Sequence, residues 1–211
     1  MNKGGLLFNM GETVDNGDVL SPVVSITRKL CDSGEYCNDK SFFVQSALVI
    51  IGLVTYQLLI ASWLATEKHV SPVVAAAIDD VIKFIIIFTI ARFVAGQPIN
   101  DKDWMKEMFI FAVLIVAYDV FVQAGLESKL AQFEPSSWNS VKANVKQEDS
   151  NNKMLSPMSL AVSTTVKWAA IFAVQNFVAQ RTFDKQWCIT TGGFCFAAVV
   201  YDVFITRRRV L

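Results

Sequence analysis

The chain has 211 residues, 53% of them hydrophobic, with a mean hydropathy of +0.40 and a formal net charge of zero. The hydrophobic share exceeds the roughly 45–50% of soluble domains, and zero net charge leaves no basic footprint for nucleic acid. The single histidine, His69, falls in a short loop, so metal or histidine-based chemistry has almost no footing, and no G-x-S-x-G, Walker A, H-E-x-x-H or dinucleotide motif occurs.

Taken in chain order, residues 1–41 read as a polar head with turn signals at Asp15-Asn16-Gly17-Asp18 and Ser33-Gly34. The head lacks the pattern of a cleavable signal, so the first span is expected to be a retained anchor. Asn2 excludes N-myristoylation. Cys31 and Cys37 are close enough for a local disulfide on an oxidising side, or they are two free thiols. Phe42–Ala65 is a run of 24 uncharged residues. At about 1.5 Å per residue it spans a bilayer core of about 30 Å. Four more apolar stretches follow near 73–96, 104–125, 158–180 and 188–206. The expected fold is therefore all-α and polytopic, with five transmembrane helices: two parallel helical hairpins, 70–122 and 155–206, plus the helix at 42–65. A polar connector, 126–154, joins the hairpins, with Leu126–Phe133 able to extend the third span as an amphipathic helix. Residues 207–211 form a basic tail.

The hairpins are one pattern written twice. Both open on Ser-Pro (71–72, 156–157), which supplies an N-cap and a proline at the first helical position. Both carry a lysine before an aromatic (Lys83-Phe84, Lys167-Trp168), then Ile-Phe (87–88, 171–172) and Phe-Val-Ala (93–95, 177–179). Both turn through Asp-Lys-x-Trp (101–104, 184–187) and close on Tyr-Asp-Val-Phe (118–121, 201–204). Two spans per copy is an even number, so the copies run in the same direction, as a parallel repeat. Trp104, Trp187, Tyr118 and Tyr201 sit where interfacial anchors belong. Lysine and arginine tie across the two sides. Arg207-Arg208-Arg209 after the last span then places the C-terminus and the connector in the cytosol.

Charges inside the spans are the candidate site. Lys83 and Asp119 lie equally far from the first tip, Lys167 and Asp202 equally far from the second. Equal distance from a turn means equal depth in two antiparallel helices. Each hairpin is thus expected to hold its own pair, Lys83–Asp119 and Lys167–Asp202. A lone charge at such depth costs about 2.5–3.5 kcal/mol. Asp79 offers Lys83 a local alternative. The rival reading makes Asp80, Lys83, Asp119, Lys167 and Asp202 an ion relay. Arg92, Gln175 and Asn176 are candidates for polar contacts between the hairpins. Thr190-Thr191-Gly192-Gly193 offers a small-residue surface for close helix packing. Cys195 reads as a small packing residue.

The polar Asn/Asp/Lys-rich head, the missing cleaved signal and the missing catalytic set give the chain a general character that resembles small multi-pass inner-membrane proteins in the virions of large icosahedral DNA viruses. That resemblance implies a non-enzymatic structural role without cofactors. The bilayer would be linked to capsid proteins through residues 1–41, the hairpin tips and 126–154. It also implies residence in a virion inner membrane or host endoplasmic reticulum, with other membrane proteins or further copies of the chain as neighbours. The alternative is a small channel or transporter whose path runs between the hairpins.

Overall fold

The computed structural model describes residues 18–31, 37–60, 72–133 and 155–206. Among them all regular structure is helical: α1 (Ser21–Cys31), α2 (Cys37–Leu59), α3 (Pro72–Ala95), α4 (Lys102–Tyr118), α5 (Ala124–Gln132), α6 (Pro157–Val178) and α7 (Lys185–Val200). Asp119–Gln123 and Tyr201–Thr206 continue α4 and α7 as π turns. Four stretches are long and apolar enough to cross a membrane: Ser41–Leu59, Lys102–Gln132, Pro157–Val178 and Lys185–Ile205. On that basis the chain is a membrane protein. Helix α3 is as long, but it carries Asp79, Asp80, Lys83 and Arg92. Its outward residues are apolar, with Ile90, Phe93 and Val94 at least half exposed.

Helices α2, α3, α4, α6 and α7 close into a ring, each packed on the next. The axis is filled by six buried aromatics: Phe84 and Phe88 from α3, Phe111 from α4, Trp168 and Phe172 from α6, and Phe194 from α7. They pack edge-to-face, stacked or tilted, with Phe84–Trp168 centroids 4.5 Å apart and Phe172–Phe194 4.9 Å apart, both edge-to-face. Such contacts contribute about 0.5–1.5 kcal/mol each beyond buried area. Helix α2 approaches its neighbours closely at two glycines. A Cβ on Gly193 of α7 would lie 3.3 Å from the Phe42 carbonyl oxygen and from Ser46 Oγ. Ser46 in turn donates to the Gly193 carbonyl at 3.0 Å. The small-residue surface on α7 is thus where α2 docks.

The two tips are built alike. Gly96 (φ 75) and Gln180 (φ 55) both take the left-handed conformation that ends a helix. Asp101 then caps α4 through the N–H groups of Asp103 and Trp104, and Asp184 caps α7 through Trp187 N–H. Both tips lie at one end of the ring, since Arg181 of the second reaches Glu107, near the start of α4, at 3.6 Å.

The head is not simply polar and turn-like. Its residues 21–31 form α1, whose Val23, Val24 and Thr27 are buried against the bundle, as is Leu20 just before it. With a length of about 16 Å, α1 lies across the tip end. Asp18 before it is 3.9 Å from Arg181, and Lys29 in its last turn donates to the Ala95 carbonyl. The third Ser-Pro of the chain, Ser21-Pro22, begins this helix, and Ser156 caps α6 ahead of Pro157. Past the Asp119–Gln123 turn the helix runs on to Gln132, as the amphipathic pattern of 126–133 predicts. The Cys31 and Cys37 side chains, most of the connector and the basic tail lie outside the described residues.

Candidate functional site

At the end of the ring away from the tips, all five ring helices bring polar groups together. Asp80 lies at the centre. Its Oδ1 is 2.5 Å from Lys83 Nζ and its Oδ2 2.6 Å from Lys167 Nζ. Lys167 also lies 2.7 Å from Asp119 Oδ1. Lys83 completes its surroundings with Asp79 at 3.5 Å. Thr164 donates to Asp202 at 2.7 Å, Tyr56 to Asp79 at 3.1 Å, and Tyr201 to Gln57 at 2.7 Å.

This geometry corrects the expected pairing. Lys83, Asp119, Lys167 and Asp202 do gather at one depth, but not as one pair per hairpin. Lys167 of the second hairpin pairs with Asp80 and Asp119 of the first. Lys83 turns to the acids three and four residues before it, and Asp202 is held by a threonine. The reason is lateral position. Helix α6 packs on α4, which carries Asp119 to Lys167, while Thr164 lies on the face of α6 toward Asp202. The π turns begin at or beside these two aspartates, and a π turn widens the helix and re-aims the side chain at its start. With Asp119 only 4% exposed, removing Lys167 leaves a buried carboxylate unmatched, at a cost of about 3–5 kcal/mol. Four aspartates face two lysines: Asp79 is 48% exposed and hence solvated, and Asp202 is held by the Thr164 hydroxyl. A cavity of about 130 Å³ adjoins the cluster, lined by Asp80, Lys83, Glu127, Thr164, Lys167 and Asp202 among others.

The expected anchors are mostly internal. Trp104 is buried, with the Arg92 guanidinium 4.8 Å from its ring centroid. Tyr118 and Tyr201 are buried as well, the latter spending its hydroxyl on Gln57. Trp187 is partly exposed and packs edge-to-face on Phe183 at 4.8 Å. Proximity to a helix end had suggested lipid contact, but these rings face the ring interior.

Of the three residues expected to join the hairpins, Gln175 does so, donating to Glu107 of α4 at 3.0 Å. Arg92 secures the tip of its own hairpin. It is 0% exposed, donates to the Pro98 carbonyl at 2.6 Å and pairs with Asp101 at 3.1 Å. Asn176 does the same for the second tip, with Nδ2 3.3 Å from the carbonyls of Arg181 and Thr182. Glu107 and Arg181 were missed by sequence reasoning. Glu107 lies near the start of α4 and Arg181 in a tip, where a charge needs no explanation. Cys195 is buried as a packing residue and Cys188 is exposed.

Chemically, the cluster is a set of charge-assisted hydrogen bonds across helix boundaries. Among the described residues no group of three or more histidine, cysteine or acidic side chains could hold a metal ion. Comparison with protein-family models, curated proteins and solved structures returned no match.

Proposed function

We propose that the chain is a non-enzymatic integral membrane scaffold with five membrane-spanning helices, arranged as two parallel hairpin repeats, α3–α4 and α6–α7, with the added helix α2 closing the ring. Support for a fifth span comes from α3 itself: its 24 residues present apolar side chains outward while Arg92, Lys83 and Asp80 turn toward polar partners within the bundle. Support for the repeat comes from matched local geometry. Left-handed residues fall at Gly96 and Gln180, aspartate caps at Asp101 and Asp184, and π turns at both Tyr-Asp-Val-Phe segments. The aromatic core pairs off as Phe84 with Trp168, Phe88 with Phe172 and Phe111 with Phe194, equivalent positions of the two copies.

The observation that carries the scaffold reading is this aromatic core. It fills the ring axis between the charged cluster at one end and the polar residues of the tips at the other. A channel between the hairpins needs that axis. A scaffold needs it closed and the helices tied together, which the cluster at one end and α1 at the other accomplish. The surfaces left for partners are the head, the tips and the connector 126–154. Capsid proteins of a large DNA virus, at a virion inner membrane or host endoplasmic reticulum, are the partners this reading assigns, with the C-terminus cytosolic and self-association between copies allowed.

Flux measurement in liposomes tests the reading. The full chain is reconstituted with a proton-sensitive dye inside and a potassium gradient imposed. The scaffold reading predicts proton and potassium fluxes equal to those of empty vesicles. Flux above that baseline, lost on Asp80→Asn or Asp202→Asn, would establish the channel instead.

A further inference from the structure

The outer seam between α3 and α4 carries two apolar grooves in line. The first, of about 540 Å³, lies at the tip and is lined by Phe93, Gln97, Ile99, Asn100, Trp104 and Met105. The second, of about 400 Å³, lies further along, between Val81 of α3 and Ala112, Val113, Val116 and Ala117 of α4. Outward residues of α4 join them: Met105 is 55% exposed, Phe109 70% and Val113 49%. Residues four apart share a helix face, so these three form one stripe. Half of a hydrocarbon core of about 30 Å is about 15 Å, or about ten residues of helix. A lipid tail that enters beside Met105 therefore reaches the alanines of the second groove.

The same face of α4 begins with two lysines. Lys102 lies one turn before Met105 and Lys106 one turn before Phe109, and both are exposed. Neither side chain makes an ion pair or hydrogen bond with a described residue. Two of the acids nearby are engaged elsewhere: Asp101 pairs with Arg92, and Glu107 turns inward to Gln175 and Arg181. Asp103 is the exposed acid of these turns, so their outward charge is net positive. The second hairpin keeps Lys185 at the place of Lys102. It has Ile189 and Gly192 at the places of Lys106 and Phe109, and the buried Cys195 at that of Ala112.

We propose that this face of the first hairpin binds an anionic phospholipid, with its phosphate between Lys102 and Lys106 and one tail along the α3–α4 seam. Lysines at a membrane surface attract anionic heads, and their apolar stems lie along the stripe below. The second groove is lined by apolar residues alone and accepts a tail rather than a polar ligand. Head and tail sites thus follow one another at the spacing of a single lipid, which a soluble phosphate would not fill. The inference rests on the reading of α3 as a fifth span and not on the scaffold role.

The test uses the full chain in nanodiscs holding equal amounts of phosphatidylglycerol and phosphatidylcholine with the same tails. Lipid retained through detergent washing is weighed by native mass spectrometry. Wild type is expected to retain phosphatidylglycerol about tenfold over phosphatidylcholine, and Lys102→Gln with Lys106→Gln to bring that ratio to about one. Lys185→Gln, at the second tip, should leave the ratio unchanged. Ala112→Leu with Ala117→Leu fills the second groove and should lower the amount of lipid retained while keeping the ratio. Equal retention of the two lipids by wild type overturns the proposal. So does an unchanged ratio in the double glutamine variant, an equal loss in Lys185→Gln, or unaltered retention in the double leucine variant. Failure of the span reading shows separately. Ile85→Cys, on the outward face of α3, should take up no more water-soluble maleimide than wild type in the nanodisc. Added labelling there would overturn the fifth span and the lipid site with it, whereas equal lipid retention without added labelling overturns the site alone.

Discussion

At the scale of single residues, buried charges and missing side chains decide most. Arg92 is fully buried, and its guanidinium serves several partners at once, among them the Pro98 carbonyl, the Gln97 side-chain oxygen, the Asp101 carboxylate and the face of Trp104. A lysine ammonium cannot fork and stack together. Arg92→Lys should therefore destabilise the protein by about 1.5–3 kcal/mol, the worth of one charge-assisted hydrogen bond, read as a lower unfolding midpoint in detergent titrated with sodium dodecyl sulfate. An unchanged midpoint would show that the tip is held without the fork. Gly52 of α2 is the second case. A Cβ there would sit 2.9 Å from Ile87 Cγ2, on a β-branched and buried side chain with little room to turn. Alanine gains about 1 kcal/mol of helix propensity, but overpacking costs about 1–3 kcal/mol. The steric effect should win, so Gly52→Ala is expected to lower the thermal midpoint of the detergent-solubilised protein. A raised midpoint would mean that α2 can back away from α3.

At the scale of elements, what could be read in the sequence depended on whether an element announces itself by apolar length. The long helices do, as Ser41–Leu59 and the helix from Lys102 to Gln132 illustrate. Helix α1 does not. Its burial comes from a short stripe, Val23, Val24 and Thr27 with Leu20 just before the helix, set among polar residues that look like loop. The signal that could have found it was Ser21-Pro22 followed by apolar residues at helical spacing. The tips were legible from Asp-Lys-x-Trp, and their backbone yields a prediction. Gly96 and Gln180 occupy equivalent left-handed positions, but Gln180 carries a Cβ into a region that costs about 1–2 kcal/mol for such residues. Gln180→Gly should raise the thermal midpoint and Gly96→Ala should lower it. If both substitutions move the midpoint the same way, the two tips are not built alike.

At the scale of the whole molecule, the distinction is between depth and azimuth. Counting residues from a tip gives the level of a charge, and Lys83, Asp119, Lys167 and Asp202 do share a level. The count cannot say which helix lies beside which, so the partners came out wrong. The ring order placed α6 against α4 and routed Lys167 across to Asp119 and Asp80. Lys167 consequently fastens the hairpins to each other, with the aromatic core between them and α1 over the tips. The most direct test is a double-mutant cycle on that fastening, with unfolding of the reconstituted protein measured for Lys167→Met, Asp119→Leu, Asp202→Leu and the two pairs that contain Lys167→Met. Residues in contact within one network couple by about 0.5–3 kcal/mol. The account predicts coupling in that range between Lys167 and Asp119, and less than about 0.5 kcal/mol between Lys167 and Asp202. Strong coupling to Asp202 and none to Asp119 would contradict it and restore a separate clamp within each hairpin.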